Sequence, residues 1–236
     1  GAILPLYFWL PRAYASASAP VAALFAIMTK VGIYAILRLA TLMFGAGAGE
    51  LAHLTQAWLW PLALATVALG AVGVLAARSL QMLLAYLVVV SAGTLLAAVA
   101  SGTPQAHAAG LYYLLHSTWV AGGLFLLADL ITRQRGDKGG ALVQGPALQN
   151  PALLGGLFFF GAVAVIGLPP LSGFLGKLLL LQAQPSLALW AVLLLGGFAG
   201  VALVLYAWRL PPFLSTVEMT DNAFVRGYVT TMSPQV

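Results

Sequence analysis

Six apolar stretches, each long enough to cross a bilayer, govern what this chain can fold into. A hydrocarbon core of about 30 Å needs about 20 helical residues, and that length recurs along the sequence. Span A runs from Ser18 to Phe44, B from Leu54 to Ala77, C from Leu80 to Ala100 and D from Ala108 to Thr132. Span E runs from Pro151 to Gln182 and F from Leu187 to Trp208. Composition leaves no soluble alternative. Of the 236 residues, 62% are apolar and 6% are charged, about a quarter of the charge a soluble domain carries. The expected fold class is therefore an all-α polytopic membrane protein with about six transmembrane helices.

The absence of cysteine removes disulfides, thiolate metal sites and cysteine nucleophiles. The net charge of +5 comes from thinly scattered Lys and Arg, without the basic run that grips phosphates, so nucleic acid is not an expected partner. Gly1 is preceded by no initiator Met, basic leader or cleavable segment, and the chain is read as part of a longer one. Charge also orients the spans, because cytoplasmic loops collect Lys and Arg. Arg12, Arg78, Arg133, Arg135, Lys138, Arg209 and Arg226 fall on one side. The loops Gly45–His53, Ser101–His107 and Ala183–Ser186 on the other side contain neither residue. The stretch ahead of span A and the loop after span D are accordingly cytoplasmic.

Span E is too long for one straight helix, since its 32 residues would reach about 48 Å. Its centre holds Pro169, Pro170 and Gly173. Two prolines remove two backbone donors and clash with the preceding turn, and a break at membrane depth is tolerated where protein buries it or where it lines a wet cavity. A simple proline kink, or two shorter helices with a re-entrant turn, satisfies the same residues.

Ionisable side chains inside spans carry whatever chemistry is present. Lys30 lies near the middle of span A, His116 within span D and Lys177 a few residues after the break in span E. Each such charge costs at least about 2.5–3.5 kcal/mol on insertion scales. A lone His also serves as a helix–helix hydrogen-bond partner, and a single Lys also neutralises a neighbouring subunit's carboxylate. Three together favour transport, as the parts of a proton relay. Asp129 and Arg133, spaced i, i+4, read as a local ion pair. Arg38 reads as an interface anchor or a partner for an acidic group. His53 and His107 read as solvated residues in or beside loops, and Gly70 and Gly73 as close helix packing. No phosphate loop, haem-type His pair or nucleophile constellation appears, so neither a cofactor nor a metal site nor a catalytic residue is expected.

Four segments in order resemble a known superfamily: Leu4 to Tyr14 (LPLYFWLPRAY) with Pro20-Val21, Lys30 to Arg38 (KVGIYAILR), Leu111 to Arg135 with its HST and LFLLADLI runs, and Gly167 to Leu181 (GLPPLSGFLGKLLLL). They resemble the antiporter-like subunits shared by Mrp-type cation/proton antiporters and respiratory complex I, with most similarity to the D subunits of Mrp (Pha) antiporters. Tyr7 stands where complex I relatives commonly have His, which favours the Mrp side.

The resemblance implies a bundle of about fourteen helices built from two inverted repeats of about five, of which this chain holds the second repeat and some of the helices after it. Two of its helices would be broken, in spans D and E. Lys30 would match the middle lysine of a central hydrophilic axis, His116 the histidine on the broken helix of the second repeat, and Lys177 the lysine of the second broken helix. A Glu and a Lys of the first repeat would lie upstream of Gly1. The implied function is Na⁺ or K⁺ exchange for protons in a multisubunit complex of the bacterial cytoplasmic membrane. The alternative is a proton-pumping subunit of a complex I-like NADH-quinone oxidoreductase or a membrane hydrogenase.

Residues 1–211 form the antiporter-like part. The polar tail, 212–236, instead resembles the periplasmic strand region of a haemolysin-D-type efflux adaptor and reads as a fusion or a misjoined gene. The charge bias has a direct test in the complete protein made cysteine-free. A single Lys138→Cys should resist a membrane-impermeant thiol reagent added to intact cells, whereas Gln105→Cys should be labelled.

Overall fold

Because every backbone amide inside hydrocarbon must find a partner within its own segment, apolar length becomes helix. The computed structural model describes residues 3–194 and 197, apart from 46, 53, 144, 145 and 147, and among these no strand forms. Among the described residues four helices are long and apolar enough to cross a membrane. The chain opens with α1 (Trp9–Ser16), then α2 (Ala19–Met43), α3 (Leu54–Ala76), α4 (Leu80–Ala100) and α5 (Pro104–Gln134). Spans A, B and C thus differ from their helices by no more than a residue at either end, and span D extends by four residues at its start and two at its end. The signals that set these ends are local. The Ser79 hydroxyl accepts from the Met82 amide at 3.3 Å, and the Thr103 hydroxyl accepts from the Ala106 amide at 3.2 Å with Pro104 at the first helical position.

Span E resolves into two helices, α6 (Pro151–Ile166) and α7 (Ser172–Ala183), separated by 167–171. At 16 and 12 residues they reach about 24 and 18 Å, so neither crosses a bilayer by itself. Pro169 and Pro170 lie in the break. Gly173 does not: it is the second residue of α7, and its small size serves packing there. A second correction concerns span D, which the family pattern makes a broken helix. Here α5 is one uninterrupted helix of 31 residues, because its sole proline stands at its start and the Gly122-Gly123 pair stays within the helical ladder. In span F, residues 187–194 and 197 are helical; the rest of the span and the 212–236 tail lie outside the described residues.

At the centre stands α4, in which every residue from Val88 to Ala100 is buried. It packs against α1, α2, α3 and α5, while α5 also meets α6 and α7. The stretch ahead of span A, assigned to the cytoplasmic side, is α1, and it sends Leu10 and Tyr14 into this core. The Tyr14 ring lies 5.7 Å from those of Phe25 and Phe125. On α2 the buried residues Ala22, Ala26, Lys30, Ile33 and Leu37 recur at helical spacing along one face. Leu24, Ile27, Met28 and Val31 remain exposed on the outside, suited to lipid or to another helix. The loop after α5 is tied back to the α3–α4 turn by Leu80 N to Gly140 O (2.7 Å), Leu142 N to Arg78 O (3.0 Å) and Gln81 Nε2 to Thr132 Oγ1 (2.8 Å).

Small residues let α3 and α4 approach closely, as read for Gly70 and Gly73. A Cβ on Gly70 would come within 2.9 Å of Val90 Cγ2, and one on Gly73 would overlap the Tyr86 ring. Opposite them, a Cβ on Gly93 would stand 2.9 Å from the Val67 backbone nitrogen and 3.1 Å from the Ala63 carbonyl, and backbone cannot yield as a side-chain tip can. Gly93→Leu should therefore destabilise the bundle by about 1–3 kcal/mol or more, read as a lower unfolding temperature of purified, detergent-solubilised protein.

Candidate functional site

The break in span E is closed by side chains from two helices. The last four carbonyls of any α-helix have no partner within it, and in α6 these belong to Val163, Ala164, Val165 and Ile166. Gly167 takes the left-handed conformation (φ 80°, ψ 49°) that glycine adopts without strain. The amides of Gly167 and Leu168 then both reach the Val163 carbonyl, at 3.0 and 3.2 Å. From α5, His116 Nε2 donates to the Ala164 carbonyl at 3.0 Å. From α7, the Lys177 ammonium donates to Ile166 O at 2.6 Å and to Val165 O at 3.4 Å. All four carbonyls are satisfied. The two cationic residue types meet the negative end of a helix dipole, the arrangement electrostatics favours.

His116 also reaches across the break. Its Nδ1 lies 2.7 Å from the hydroxyl of Ser172, the first residue of α7. Two glycines make this approach feasible: a Cβ on Gly173 would collide with Ala164 O and His116 Nε2, and one on Gly167 would meet the Lys177 chain. His116 and Lys177, far apart in sequence, thus converge on one helix end.

Lys30 sits elsewhere. It is 1% exposed, and its ammonium donates to Ser91 Oγ on α4 at 2.5 Å, while Ser91 donates to the Val88 carbonyl at 2.8 Å. Beside it, the Tyr14 hydroxyl bonds Thr29 Oγ1 at 2.5 Å and donates to the Phe25 carbonyl. Between this group and the break lies a cavity of about 20 Å³ whose lining includes Ser91, Tyr113, His116, Ser117 and Val165. That is room for one water among polar neighbours. A second cavity, about 170 Å³, lies against Lys177, with Leu168, Phe174 and Trp190 among its walls.

Other sequence candidates fall where their surroundings dictate. Asp129 and Arg133 form the expected local pair at 2.8 Å, the single ion pair among the described residues. His107 lies beside its loop. It lies in the first turn of α5, half-buried, with Nε2 3.4 Å from the Val99 carbonyl. Arg38 is exposed on α2, and His53 lies outside the described residues. Among the described residues no group of three or more His, Asp or Glu gathers. Ser91 and Ser172 were not singled out by sequence, because a lone serine in an apolar helix is unremarkable until its partner is seen.

Apolar helices of membrane-crossing length packed around a broken helix define a multi-pass membrane protein. The family model described as "NADH:quinone oxidoreductase/Mrp antiporter, TM" matches residues 1–202, and the chain belongs to that family. It is 43% identical over 197 residues to the D subunit of a probable K(+)/H(+) antiporter of Rhizobium meliloti, covering 75% of this chain and 36% of that one. With the D subunit of the Na(+)/H(+) antiporter of Bacillus subtilis it shares 39% over 178 residues, covering 75% and 35%. The chain thus spans little more than a third of the length of these curated relatives. Among solved structures, the Mrp complex from Dietzia sp. DQ12-45-1b matches with a TM-score of 0.74 at 29% identity, covering 88% of this chain and 39% of that one. Respiratory complex I from Thermus thermophilus matches with a TM-score of 0.72 at 31% identity, covering 88% and 44%.

The carbonyl cap on α6 has a measurable consequence. Lys177→Met removes a charged donor from two carbonyls, an interaction of about 1.5–3 kcal/mol. Amide hydrogen exchange over residues 163–168 should speed up by roughly tenfold or more, with exchange in α4 unchanged.

Proposed function

We propose that this chain is part of a membrane subunit of a multisubunit Na⁺/H⁺ or K⁺/H⁺ antiporter in the bacterial cytoplasmic membrane, and that Lys30, His116 and Lys177 are its proton stations. The observation that carries the reading is Lys30. An ammonium 1% exposed, held by one serine hydroxyl, costs several kcal/mol at membrane depth, and packing alone gives no return for it. A proton carrier explains that cost. Ser91 and the water-sized cavity provide the route from Lys30 towards His116, and the shared helix end brings His116 next to Lys177. The larger cavity beside Lys177 gives that station a place to exchange with water once the remaining helices surround it.

In this mechanism the stations act on each other through charge. Protonating one raises the electrostatic cost of protonating its neighbour, so a proton advances when the next site empties, and the opposing cation moves in response to the same field. Subunit partners supply the rest of the assembly, as the names of the antiporter relatives suggest. The antiporter unit is taken as residues 1–211, in line with a family match that ends at 202, and the tail as foreign to it. The second reading is a proton-pumping subunit of a redox-driven complex, favoured by the family's description and by the complex I likeness; it uses the same stations with a different source of energy.

Everted vesicles holding the complete protein with its partner subunits separate the two. With a proton gradient imposed by an independent pump and read by a pH-sensitive dye, adding Na⁺ or K⁺ should collapse the gradient without any electron donor. Lys177→Ala and Lys30→Ala should each abolish that response while the complex still assembles. Full exchange in either variant would remove that lysine from the path, and no cation response in the assembled wild type would favour the redox-driven pump.

A further inference from the structure

The two hydrogen bonds of His116 are not equivalent, and their difference locates its mobile proton. The Ala164 carbonyl accepts and never donates, so the ring nitrogen 3.0 Å from it, Nε2, carries a hydrogen in every protonation state. The other nitrogen, Nδ1, is then the bare one in the neutral ring. Its partner, Ser172 Oγ at 2.7 Å, both donates and accepts. Nor is the ring free to exchange the two edges, because Nε2 is packed against Gly173, where a single added Cβ would lie 2.6 Å from it.

We propose that His116 loads and unloads its proton at Nδ1 and that Ser172 is the hydroxyl through which that proton passes. This deepens the relay reading above and rests on it. With His116 neutral, the Ser172 hydroxyl donates to Nδ1. On loading, the Oγ–H bond breaks as Nδ1–H forms, and Oγ takes a proton from a water on its exposed side. The net change is one proton gained by the imidazole and one lost by that water chain. In the loaded state Nδ1–H donates to Oγ, so the hydroxyl must reverse its direction, and unloading runs the same steps backwards. The Ala164 bond is unchanged throughout and holds the ring in place. Because Ser172 opens α7 and Ala164 lies in the last turn of α6, each half of the broken helix holds one edge of the imidazole: the α6 side fixes the ring, and the α7 side handles the proton. Two titratable groups face the ring: Lys177, which shares this helix end, and Tyr113, whose ring centroid lies 6.1 Å from that of the imidazole.

The test uses the complete protein in its assembled complex, with exchange followed by pH-sensitive dye in everted vesicles. Ser172→Ala should slow exchange about tenfold, the scale of one lost hydrogen bond in a transfer step, whereas Ser172→Thr, which keeps the hydroxyl, should stay within about twofold of wild type. Nitrogen-15 solid-state NMR of labelled histidine should show the neutral His116 as the Nε2–H tautomer. An Nδ1–H tautomer in wild type would overturn the assignment, and this readout stands even if Ser172→Ala fails to assemble. Wild-type exchange in Ser172→Ala alongside none in His116→Ala overturns the role of Ser172 and leaves the relay standing. Equal loss in Ala and Thr variants also overturns it, as a packing effect. Wild-type exchange in His116→Ala removes the relay reading and this inference with it.

Discussion

A helix that ends inside hydrocarbon leaves four carbonyls that water cannot reach. At the end of α6 that problem is solved with a glycine in the left-handed conformation, a histidine from α5 and a lysine from α7. Much else depends on this solution. It fixes where α7 can start, because the Lys177 chain must reach back to Ile166. It requires glycine at 167 for the backbone turn and at 173 for the close approach. It also holds two titratable side chains at one point without any acid to neutralise them. The donors that close the break are the residues proposed to carry protons, so structure and chemistry draw on the same groups.

The same economy applies around α4. A helix buried along its whole second half offers few polar atoms, and Ser91 is one of them, already bonded to Val88 O. Its lone pairs give the Lys30 ammonium a partner that does not cancel its charge. A carboxylate there would form a buried ion pair, which is stable against loss of the proton. A hydroxyl solvates weakly, which suits the proposed role of Lys30 as a proton carrier.

The sequence made the spans legible because apolar length is a bulk property. Spans A to C match their helices closely, since Ser79 and Gly102-Thr103-Pro104 mark their ends with cap chemistry. The prolines at 169 and 170 foretold a break, whereas Pro61 sits inside α3 without ending it. The difference is that tandem prolines remove two adjacent amides, while a single one loses a bond that the rest of the helix tolerates. Its place near the middle of span A singled out Lys30, but not its partner, because Ser91 lies 61 residues away. The meeting of His116 and Lys177 was likewise illegible from spacing. It depends on how α5 packs across two half-helices, and the family pattern that placed a break in span D gave way to a continuous α5.

Among the described residues no acid bonds to Lys30, His116 or Lys177: Asp129 is paired with Arg133 near the end of α5, and Glu50 and Asp137 lie in short 3-10 turns. Such a charge set is unfavourable when every site is loaded at once. At an effective dielectric of about 20, two unit charges about 8 Å apart repel by about 2 kcal/mol, more than the roughly 1.4 kcal/mol that changes an occupancy about tenfold. Under the proposed role, repulsion of that size between neighbouring stations would make them alternate, and alternation links events at separate points without a moving part between them.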